Sequence, residues 1–245
     1  MQIHRFYCDS INRLRTEILG PEARHAASVL RLSPGQTVEI FDGRGTLATA
    51  QIESIIPKKL LCRIENLQTT EKANRTQITI AVSVPKGDRF DWLIAKCTEL
   101  GIDKIVPVIF ERSVKNPKNP KAAERWRNIT ISAAKQSKRL FLPDIELPLT
   151  LEKSIVKFRA ESDSQILLGS LEDDAVPLTK IEFTSKNVIA FIGPEGGLTD
   201  EETKLLIEAG SKPVRITDTI LRIETAAIAF AAILAAARDN LTADY

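Results

Sequence analysis

The stretch VIAFIGPEGGLTDEE, from Val188 to Glu202, joins an apolar run to three glycines and a cluster of acids. A short apolar run that stops at Gly-Pro is typical of a buried β-strand that ends in a turn. The glycines let the backbone approach a ligand closely, because they carry no side chain that would block it. Thr199 and Glu202 have the spacing of a capping box, so we predict that a helix begins directly after the turn.

The acids of this turn disfavour a phosphate ligand. Phosphate groups bind at helix N-termini with free amides, whereas here Thr199 and Glu202 cap those amides and Asp200 and Glu201 add negative charge. The chain contains neither GxxxxGK[ST] nor GxGxxG, the motifs of nucleotide phosphate sites. A ligand with adenine, ribose and a positive centre fits better, and S-adenosylmethionine is such a ligand. The alternative is a structural turn followed by a capped helix.

A second informative stretch, ITDTILRIETAAIAFAAILAAA, runs from Ile216 to Ala237. It opens as a strand end and a loop and then becomes a helix with apolar residues all round, which predicts burial on every side. Arg222 and Glu224 place charge at the start of this helix. The arrangement favours the wall of a ligand site. A core helix or a dimer-interface helix is the alternative.

The rest of the chain predicts two domains, over residues 1–70 and 74–245. After residue 77, apolar strands alternate with helices, which is typical of a mostly parallel sheet covered on both faces. Ligands of such α/β sheets bind at the carboxyl ends of the strands, where the glycine turn lies. The first domain has short strands joined by tight turns, such as DGRG at Asp42–Gly45, and one helix over Ala23–Leu32. These features predict a small β-barrel.

Charge is distributed unevenly along the 245 residues. Residues 71–140 carry 15 basic and 7 acidic residues, whereas residues 141–245 carry 10 and 18. Nine of the basic residues lie between Arg112 and Arg139, where Glu124 is the one acid. A basic stripe of this density favours binding to nucleic acid, and the alternative is a solvated helix face.

Cysteine and histidine are few, with three and two residues. Three widely spaced cysteines predict neither a disulfide framework nor a zinc site, and two histidines do not support a histidine-based metal centre. No apolar run reaches the roughly 20 residues that span a bilayer, and the N-terminus has no apolar signal core. These features predict a cytoplasmic protein without a metal or a membrane partner.

GPEGGLTDEE followed by LRIETAAIAF resembles segments of SPOUT-class RNA methyltransferases, and more narrowly of the ribosomal RNA small subunit methyltransferase E family. IHRFY, HAASVLRLSPGQTVEIFDGRG, KGDRFDWLIAKCTELGIDKIVPV, ERSV and AAKQSKR follow the family's order, so the resemblance covers nearly the whole chain. It implies a PUA-like RNA-binding β-barrel over residues 1–70 and an α/β SPOUT methyltransferase domain with a trefoil knot over residues 74–245. It also implies a homodimer formed through the knot-region helices.

The resemblance further implies methyl transfer from S-adenosylmethionine to N3 of one uridine in the decoding region of 16S rRNA. The substrate would be free small-subunit rRNA or the assembled small ribosomal subunit. The methyl donor would lie among three strand-end loops, at Leu168, Gly169, Gly193, Pro194, Glu195, Gly196, Ile216, Ile220, Leu221, Thr225 and Ala226. The residues placed toward the RNA are Arg5, Arg31, Arg89, Arg112, Lys115, Gln136, Ser137, Lys138 and Arg139.

Uridine N3 carries a proton and lies on the Watson–Crick edge, so the base must be unpaired or flipped out for transfer. An arginine beside O2 or O4 would favour the N3 anion, and Arg139 and Arg222 are the candidates. Glu195 is the candidate proton acceptor, or else it orients the turn. Four positions depart from the family, which more often has glycine at Thr217 and Lys138, arginine at Thr219 and threonine at Ile223.

Two rival functions stay open. A SPOUT enzyme that methylates a ribose 2′-hydroxyl would share the second domain, but the PUA-like start and the KGDRFDWLIAKCTELG segment argue against it. A non-catalytic RNA-binding factor for ribosome assembly would share the whole fold. Such a factor would have lost the donor site, and the intact GPEGG and LRIETA segments argue against this loss.

Overall fold

The computed structural model describes residues 3–56, 58–113 and 120–242. The chain forms two compact units. The first comprises residues 1–73 together with 131–142, and the second comprises residues 74–130 together with 143–245. The segment 131–142 thus packs within the first unit, although the domain limits predicted from the sequence place it in the second.

One five-stranded sheet forms the body of the first unit. Its strands are β1 (His4–Tyr7), β2 (Arg15–Leu19), β3 (Thr37–Phe41), β4 (Thr46–Ile56) and β5 (Lys59–Thr69). They are ordered β1-β3-β4-β5-β2, with β1 and β3 parallel and the other neighbours antiparallel. Alternate residues of β4 are buried, as a sheet with one face on a core requires, and the core includes Phe6, Ile18, Ile40, Ile52 and Leu60.

The predicted tight turn Asp42–Gly45 connects β3 to β4. The Asp42 carboxylate accepts hydrogen bonds from the backbone N–H groups of Arg44, at 2.7 Å, and Thr46, at 3.0 Å. Gly43 and Gly45 have φ of +72° and +105°, a region that glycine enters without a steric cost. The turn chemistry predicted from DGRG is therefore confirmed.

The predicted helix over Ala23–Leu32 begins and ends three residues earlier, and it changes type along its length. It consists of α1 (Gly20–Arg24), with Pro21 in its first turn, and a π-helix over His25–Val29. The wider π turn is closed by a hydrogen bond of 3.0 Å from Leu30 N to His25 O. Arg31 follows with φ of +50°. This left-handed residue turns the chain out of the helix, so the segment cannot continue to Leu32.

The second unit contains an eight-stranded sheet in which every strand pair is parallel. The strand order is β11-β13-β10-β12-β6-β7-β8, and β9 also pairs with β7. The strands are β6 (Gln77–Ser83), β7 (Lys104–Ile109), β8 (Asp144–Ile145), β9 (Leu149–Thr150), β10 (Ser164–Gly169), β11 (Val176–Pro177), β12 (Asn187–Ile192) and β13 (Lys212–Arg215). The parallel sheet predicted from the alternating pattern is confirmed.

Helices cover both faces of this sheet. They are α2 (Arg89–Glu99), α3 (Pro120–Ser137), α4 (Leu151–Ala160), α5 (Asp200–Glu208) and α6 (Ile223–Thr242). One core contains Ile78 and Ile80 of β6 with residues of α2 and α6, such as Leu93 and Phe230. The second core lies on the other face, where Ala81 of β6 joins residues of α4 and α5. Gly101, with φ of +80°, follows the end of α2 as predicted.

The segment 131–142 comprises the second half of α3 and the residues after it, and several contacts hold it within the first unit. The Lys135 ammonium lies 2.7 Å from the Glu22 carboxylate of α1. The backbone N–H of Leu142 donates to Gly43 O at 2.9 Å. Ile131 also packs in a small core with Tyr7. These contacts are long-range in sequence, which is why no local pattern indicated them.

The prediction that α6 is buried on every side is wrong for the single chain. Ala227, Phe230, Ala231 and Leu234 are buried on one side of the helix. The other side carries partly exposed apolar residues at helical spacing, at Ala226, Ala229, Ile233 and Ala237. Packing within one chain thus buries only one of the two apolar sides of α6.

The C-terminal part of α6 carries a buried ion pair. Arg238 Nη1 lies 3.1 Å from Asp103 Oδ2, and the two side chains are 2% and 4% exposed. Arg238 also donates to Gly101 O at 3.1 Å, and Asp103 accepts from the backbone N–H of Ile78 at 3.1 Å. The pair therefore links the end of α6 to the edge of the sheet.

Candidate functional site

Three loops of the second unit leave the sheet at the same edge. They follow β10, β12 and β13, which are neighbouring parallel strands. Leu168 is paired with Phe191, and Gly169 is paired with Val214, so the strands end side by side. The edge thus brings together the loops that carry the predicted donor residues. This is the edge at which open α/β sheets bind their ligands.

Gly169 ends β10 in a position that admits no side chain without movement. A Cβ atom there would lie 3.3 Å from Phe191 O and 3.3 Å from the ring of Phe230. The next residue, Ser170, donates its backbone N–H to Val214 O at 2.9 Å. The first loop is therefore held close to the sheet, and it presents main chain rather than side chains at the edge.

The glycine turn after β12 is closed by its own backbone. Gly197 N donates to Pro194 O at 2.9 Å, and Gly197 has φ of +72°. Pro194 is buried, whereas Glu195, Gly196 and Gly197 are exposed. The exposed face of this turn consists mainly of backbone, which a ligand at the strand ends can approach closely.

The predicted capping box is confirmed at the start of α5. The backbone N–H of Glu202 donates to the Thr199 hydroxyl at 3.2 Å, and that of Thr199 donates to Glu202 Oε2 at 3.0 Å. Glu202 Oε1 also accepts from the backbone N–H of Glu111 at 2.7 Å. Two of the amides at the start of α5 are therefore occupied, which disfavours a phosphate ligand there.

Arg112 was predicted to face RNA, and the structure gives its side chain a different contact. Its Nη1 donates to Gly196 O at 2.9 Å and to Leu198 O at 3.3 Å. The guanidinium therefore stabilises the glycine turn by binding two of its carbonyl groups. The signal in the sequence was the ERSV segment, but its partner lies more than 80 residues away, so the sequence alone did not indicate this role.

The third loop connects β13 to α6. Arg215 and Asp218 form an ion pair at 3.5 Å, and the hydroxyls of Thr217 and Thr219 are 3.2 Å apart. Ile220 is 85% exposed, so its side chain projects away from the core of a single chain. The remaining predicted site residues of this region range from partly buried to exposed, and they are Ile216, Leu221, Arg222, Thr225 and Ala226.

Glu195 is ion-paired across two loops. Its Oε1 lies 2.8 Å from Arg89 Nη1, and the same nitrogen lies 3.7 Å from Oε1 of Glu224. Arg89 is the first residue of α2, the helix that follows β6, and Glu224 lies in the first turn of α6. We call these three residues the Arg89 cluster. Arg89 was predicted to contact RNA, and Glu195 to accept a proton or orient the turn. The pairing favours the orienting role for Glu195.

Glu224 is a residue to which the sequence assigned no separate role. Its side chain is 8% exposed, and its Oε2 is buried without a hydrogen-bond partner among the residues that the structure describes. Buried polar atoms are usually satisfied, so this oxygen is unusual. The signal in the sequence is the charge that Arg222 and Glu224 place at the start of an otherwise apolar helix.

The predicted RNA-binding residues of the first unit differ in exposure. Arg5 is 8% exposed and is ion-paired with Glu39 at 2.8 Å, so its side chain takes part in the packing of the unit. Arg31 and Lys138 are exposed, and both have positive φ, of +50° and +58°. Lys138 therefore occupies the left-handed conformation for which the family's glycine is suited.

The remaining RNA predictions lie at the end of α3. Gln136 is exposed, and Ser137 and Arg139 are partly buried. The backbone N–H of Arg139 donates to Ala134 O at 3.0 Å, which closes the helix end. Lys115 lies outside the described residues. The RNA contacts predicted for all these side chains stay predictions.

Two other kinds of feature are absent from the part of the chain that the structure describes. Over residues 3–56, 58–113 and 120–242, no group of three or more His, Cys, Asp or Glu side chains is arranged to hold a metal ion. Within the same ranges, no helix combines the length and the apolar character needed to cross a membrane.

Comparison with known proteins identifies the class. Residues 72–235 match the family model of an RNA methyltransferase domain, and residues 18–65 match that of an RNA methyltransferase PUA domain. The parallel sheet, with the loops after β10, β12 and β13 at one edge, and the PUA-like unit that precedes it therefore define an RNA methyltransferase.

Relatives narrow the identification further. Ribosomal RNA small subunit methyltransferase E of Synechocystis is 34% identical over 204 residues, which are 81% of this chain and 65% of that protein. The protein of the same name in Bacillus subtilis is 30% identical over 85% of each chain. The chain belongs to the ribosomal RNA small subunit methyltransferase E family.

Solved structures agree with the fold. A ribosomal RNA small subunit methyltransferase E from Neisseria gonorrhoeae, bound to S-adenosyl methionine, superposes with a TM-score of 0.84 at 30% identity over 98% of both chains. A putative methyltransferase from Legionella pneumophila, in complex with the same cofactor, superposes with a TM-score of 0.86 at 28% identity. It covers 96% of this chain and 98% of its own.

Proposed function

We propose that this protein transfers a methyl group from S-adenosylmethionine to N3 of a uridine in the decoding region of 16S rRNA. The observation that carries the proposal is the cradle formed by the ends of β10, β12 and β13. Two relatives with this fold are described with S-adenosylmethionine bound. The capped and acid-rich turn after β12 suits a cationic adenosyl ligand and opposes a phosphate.

The residues of the cradle suit this donor by shape and by charge. The exposed glycine turn offers backbone hydrogen-bonding groups to the adenine, and Gly169 lets the first loop pack closely on Phe191 and Phe230. Arg112 and Glu202 fix the turn before the ligand arrives. Such preorganisation lowers the entropic cost of binding. The donor supplies an activated methyl group on its sulfonium sulfur.

The chain itself must then align the uridine and assist the loss of its N3 proton. In-line placement of the two reactants supplies a large part of a rate enhancement. Arg139 and Arg222 are the candidates that stabilise the N3 anion through charge-assisted hydrogen bonds to O2 or O4. Glu195 is held by Arg89 at 2.8 Å, so we assign it the orientation of the turn.

Calorimetric titration of S-adenosylmethionine into the purified protein tests the donor site. We expect one binding event per chain. Gly196→Trp should weaken it, because an indole at this position displaces Arg112 from the turn carbonyls. Gly196→Ala is the matched control, since its Cβ fits at 3.5 Å from Arg112, and it should retain binding. An absence of binding to the wild-type protein, both alone and with rRNA, would favour the non-catalytic RNA-binding factor.

Analysis of the methylated product tests the reaction. After incubation with donor and small-subunit rRNA or assembled subunits, digestion to nucleosides should yield 3-methyluridine. A 2′-O-methylated nucleoside would contradict the proposal and support the ribose methyltransferase. Comparison of the two substrates would also show which form of the RNA is used.

A homodimer in the cytoplasm belongs to the same proposal, with a trefoil knot in the second unit as the family implies. The partly exposed apolar side of α6 and the half-exposed Trp92 of α2 support the dimer, because isolated chains rarely expose such a surface. We expect sedimentation equilibrium to give twice the mass of the chain at micromolar concentration. A single-chain mass at all concentrations would contradict the dimer.

A further inference from the structure

We infer that the Arg89 cluster makes the site select the cationic methyl donor over the neutral product of the reaction. The inference rests on the proposed function, since it concerns the same site. Loss of the methyl group converts the sulfonium of S-adenosylmethionine into the thioether of S-adenosylhomocysteine. The two molecules share adenine, ribose and the amino-acid group, and they differ in one methyl group and one positive charge.

The Arg89 cluster contains one more negative charge than positive charges. Arg89 brings one positive charge, and Glu195 and Glu224 bring two negative charges. The guanidinium is nearer to Glu195, at 2.8 Å, than to Glu224, at 3.7 Å. Glu224 is therefore the less compensated partner, and its Oε2 has no hydrogen-bond partner within the described part of the chain.

Burial makes the charge of Glu224 effective over a distance. Its side chain is 8% exposed, whereas that of Glu195 is 44% exposed. Water screens an exposed carboxylate strongly, and it screens a buried one much less. A buried negative charge beside the third loop therefore attracts a sulfonium at the cradle without direct contact.

A purely structural ion pair would be arranged differently. Carboxylates in such pairs normally satisfy both oxygens, because an unmade hydrogen bond inside the protein is costly. Here Glu224 Oε2 has no hydrogen-bond partner among the described residues, although Arg89 is adjacent and 38% exposed. Functional sites are where proteins retain such costs. The placement of the cluster also fits, since its residues follow β6 and β12 and begin α6, around the proposed cradle.

The consequence concerns the end of the catalytic cycle. When the methyl group leaves, the positive charge leaves the sulfur with it, and the attraction to the cluster is lost. The product then binds less tightly than the donor by the electrostatic part of the affinity. Glu224 is thus a specificity-determining residue, and it acts through its charge rather than through contact.

The test is the ratio of the two dissociation constants, product over donor, measured by calorimetry. In Glu224→Gln we expect this ratio to fall by roughly tenfold, because the net charge of the cluster becomes zero. Glu195→Gln should lower the ratio in the same direction but less, because Glu195 is more exposed. Glu224→Asp keeps the charge and should keep most of the ratio.

Glu208→Gln is the matched control, since Glu208 is an exposed carboxylate in the last turn of α5, at the end of the helix away from the glycine turn. It should leave the ratio unchanged. A merely structural role of Glu224 would weaken both ligands equally, so an unchanged ratio in folded Glu224→Gln and Glu195→Gln would overturn the inference and leave the proposed function intact. Failure of the wild-type protein to bind either ligand would instead count against the proposed function.

Discussion

Replacement of Arg238 by alanine is expected to lower the free energy of unfolding of the second unit by about 3–5 kcal/mol. The substitution leaves the carboxylate of Asp103 buried, 4% exposed, without its cation. It also removes the hydrogen bond to Gly101 O, which follows α2. Chemical denaturation followed by circular dichroism measures the change, with the midpoint compared at constant slope.

Two variants separate the ion pair from the packing of α6. The double variant Arg238→Met with Asp103→Asn removes both charges and keeps an acceptor for Ile78 N, so it should recover part of the loss. Lys204→Ala breaks the exposed pair with Glu208, at 3.9 Å, and should change the free energy by less than about 0.5 kcal/mol. Equal effects of Arg238→Ala and Lys204→Ala would show that burial does not strengthen the pair.

The second large effect is expected at Arg139. Its replacement by alanine should reduce the rate of uridine methylation by about 100-fold or more, which is the usual cost of losing one donor that stabilises a developing anion. Donor binding should be unchanged, because the residue is proposed to contact the uridine and not the adenosyl group. Single-turnover assays with saturating donor measure the rate, and calorimetry measures the binding.

Arg159→Ala is the matched control for Arg139→Ala. Arg159 is an exposed arginine of α4, to which we assign no role, and its loss should leave the rate close to that of the wild-type protein. Arg139→Lys keeps the charge but loses the planar fork of donors, so it should recover only part of the rate. A full rate in Arg139→Ala would transfer the proposed role to Arg222.

The parts of the fold that the sequence predicted are those encoded by neighbouring residues. The capping box needs only Thr199 and Glu202, and the DGRG turn needs only four consecutive residues. The strands of the parallel sheet are continuous apolar runs, which burial on both faces requires. The strand-end position of the glycine turn followed from this pattern alone.

The parts that were missed depend on partners distant in the chain. Arg112 contacts the carbonyls of Gly196 and Leu198, and Arg5 is ion-paired with Glu39. Both contacts join residues that are far apart in the sequence, so neighbouring residues could not indicate them. Helix α4 was not among the predicted elements. The apolar composition of α6 predicts complete burial, although a single chain covers only one side of the helix. Composition cannot show which neighbour covers the other.

The acids after β12 also determine which cellular molecules compete for the site. ATP and other adenine nucleotides share adenine and ribose with the proposed donor, and they differ by a chain of negative phosphates. The carboxylates of Asp200 and Glu201 repel that chain, and the capping box of Thr199 and Glu202 occupies two of the amides at the start of α5. In the proposed donor site, the turn would therefore discriminate against adenine-bearing metabolites that carry phosphates.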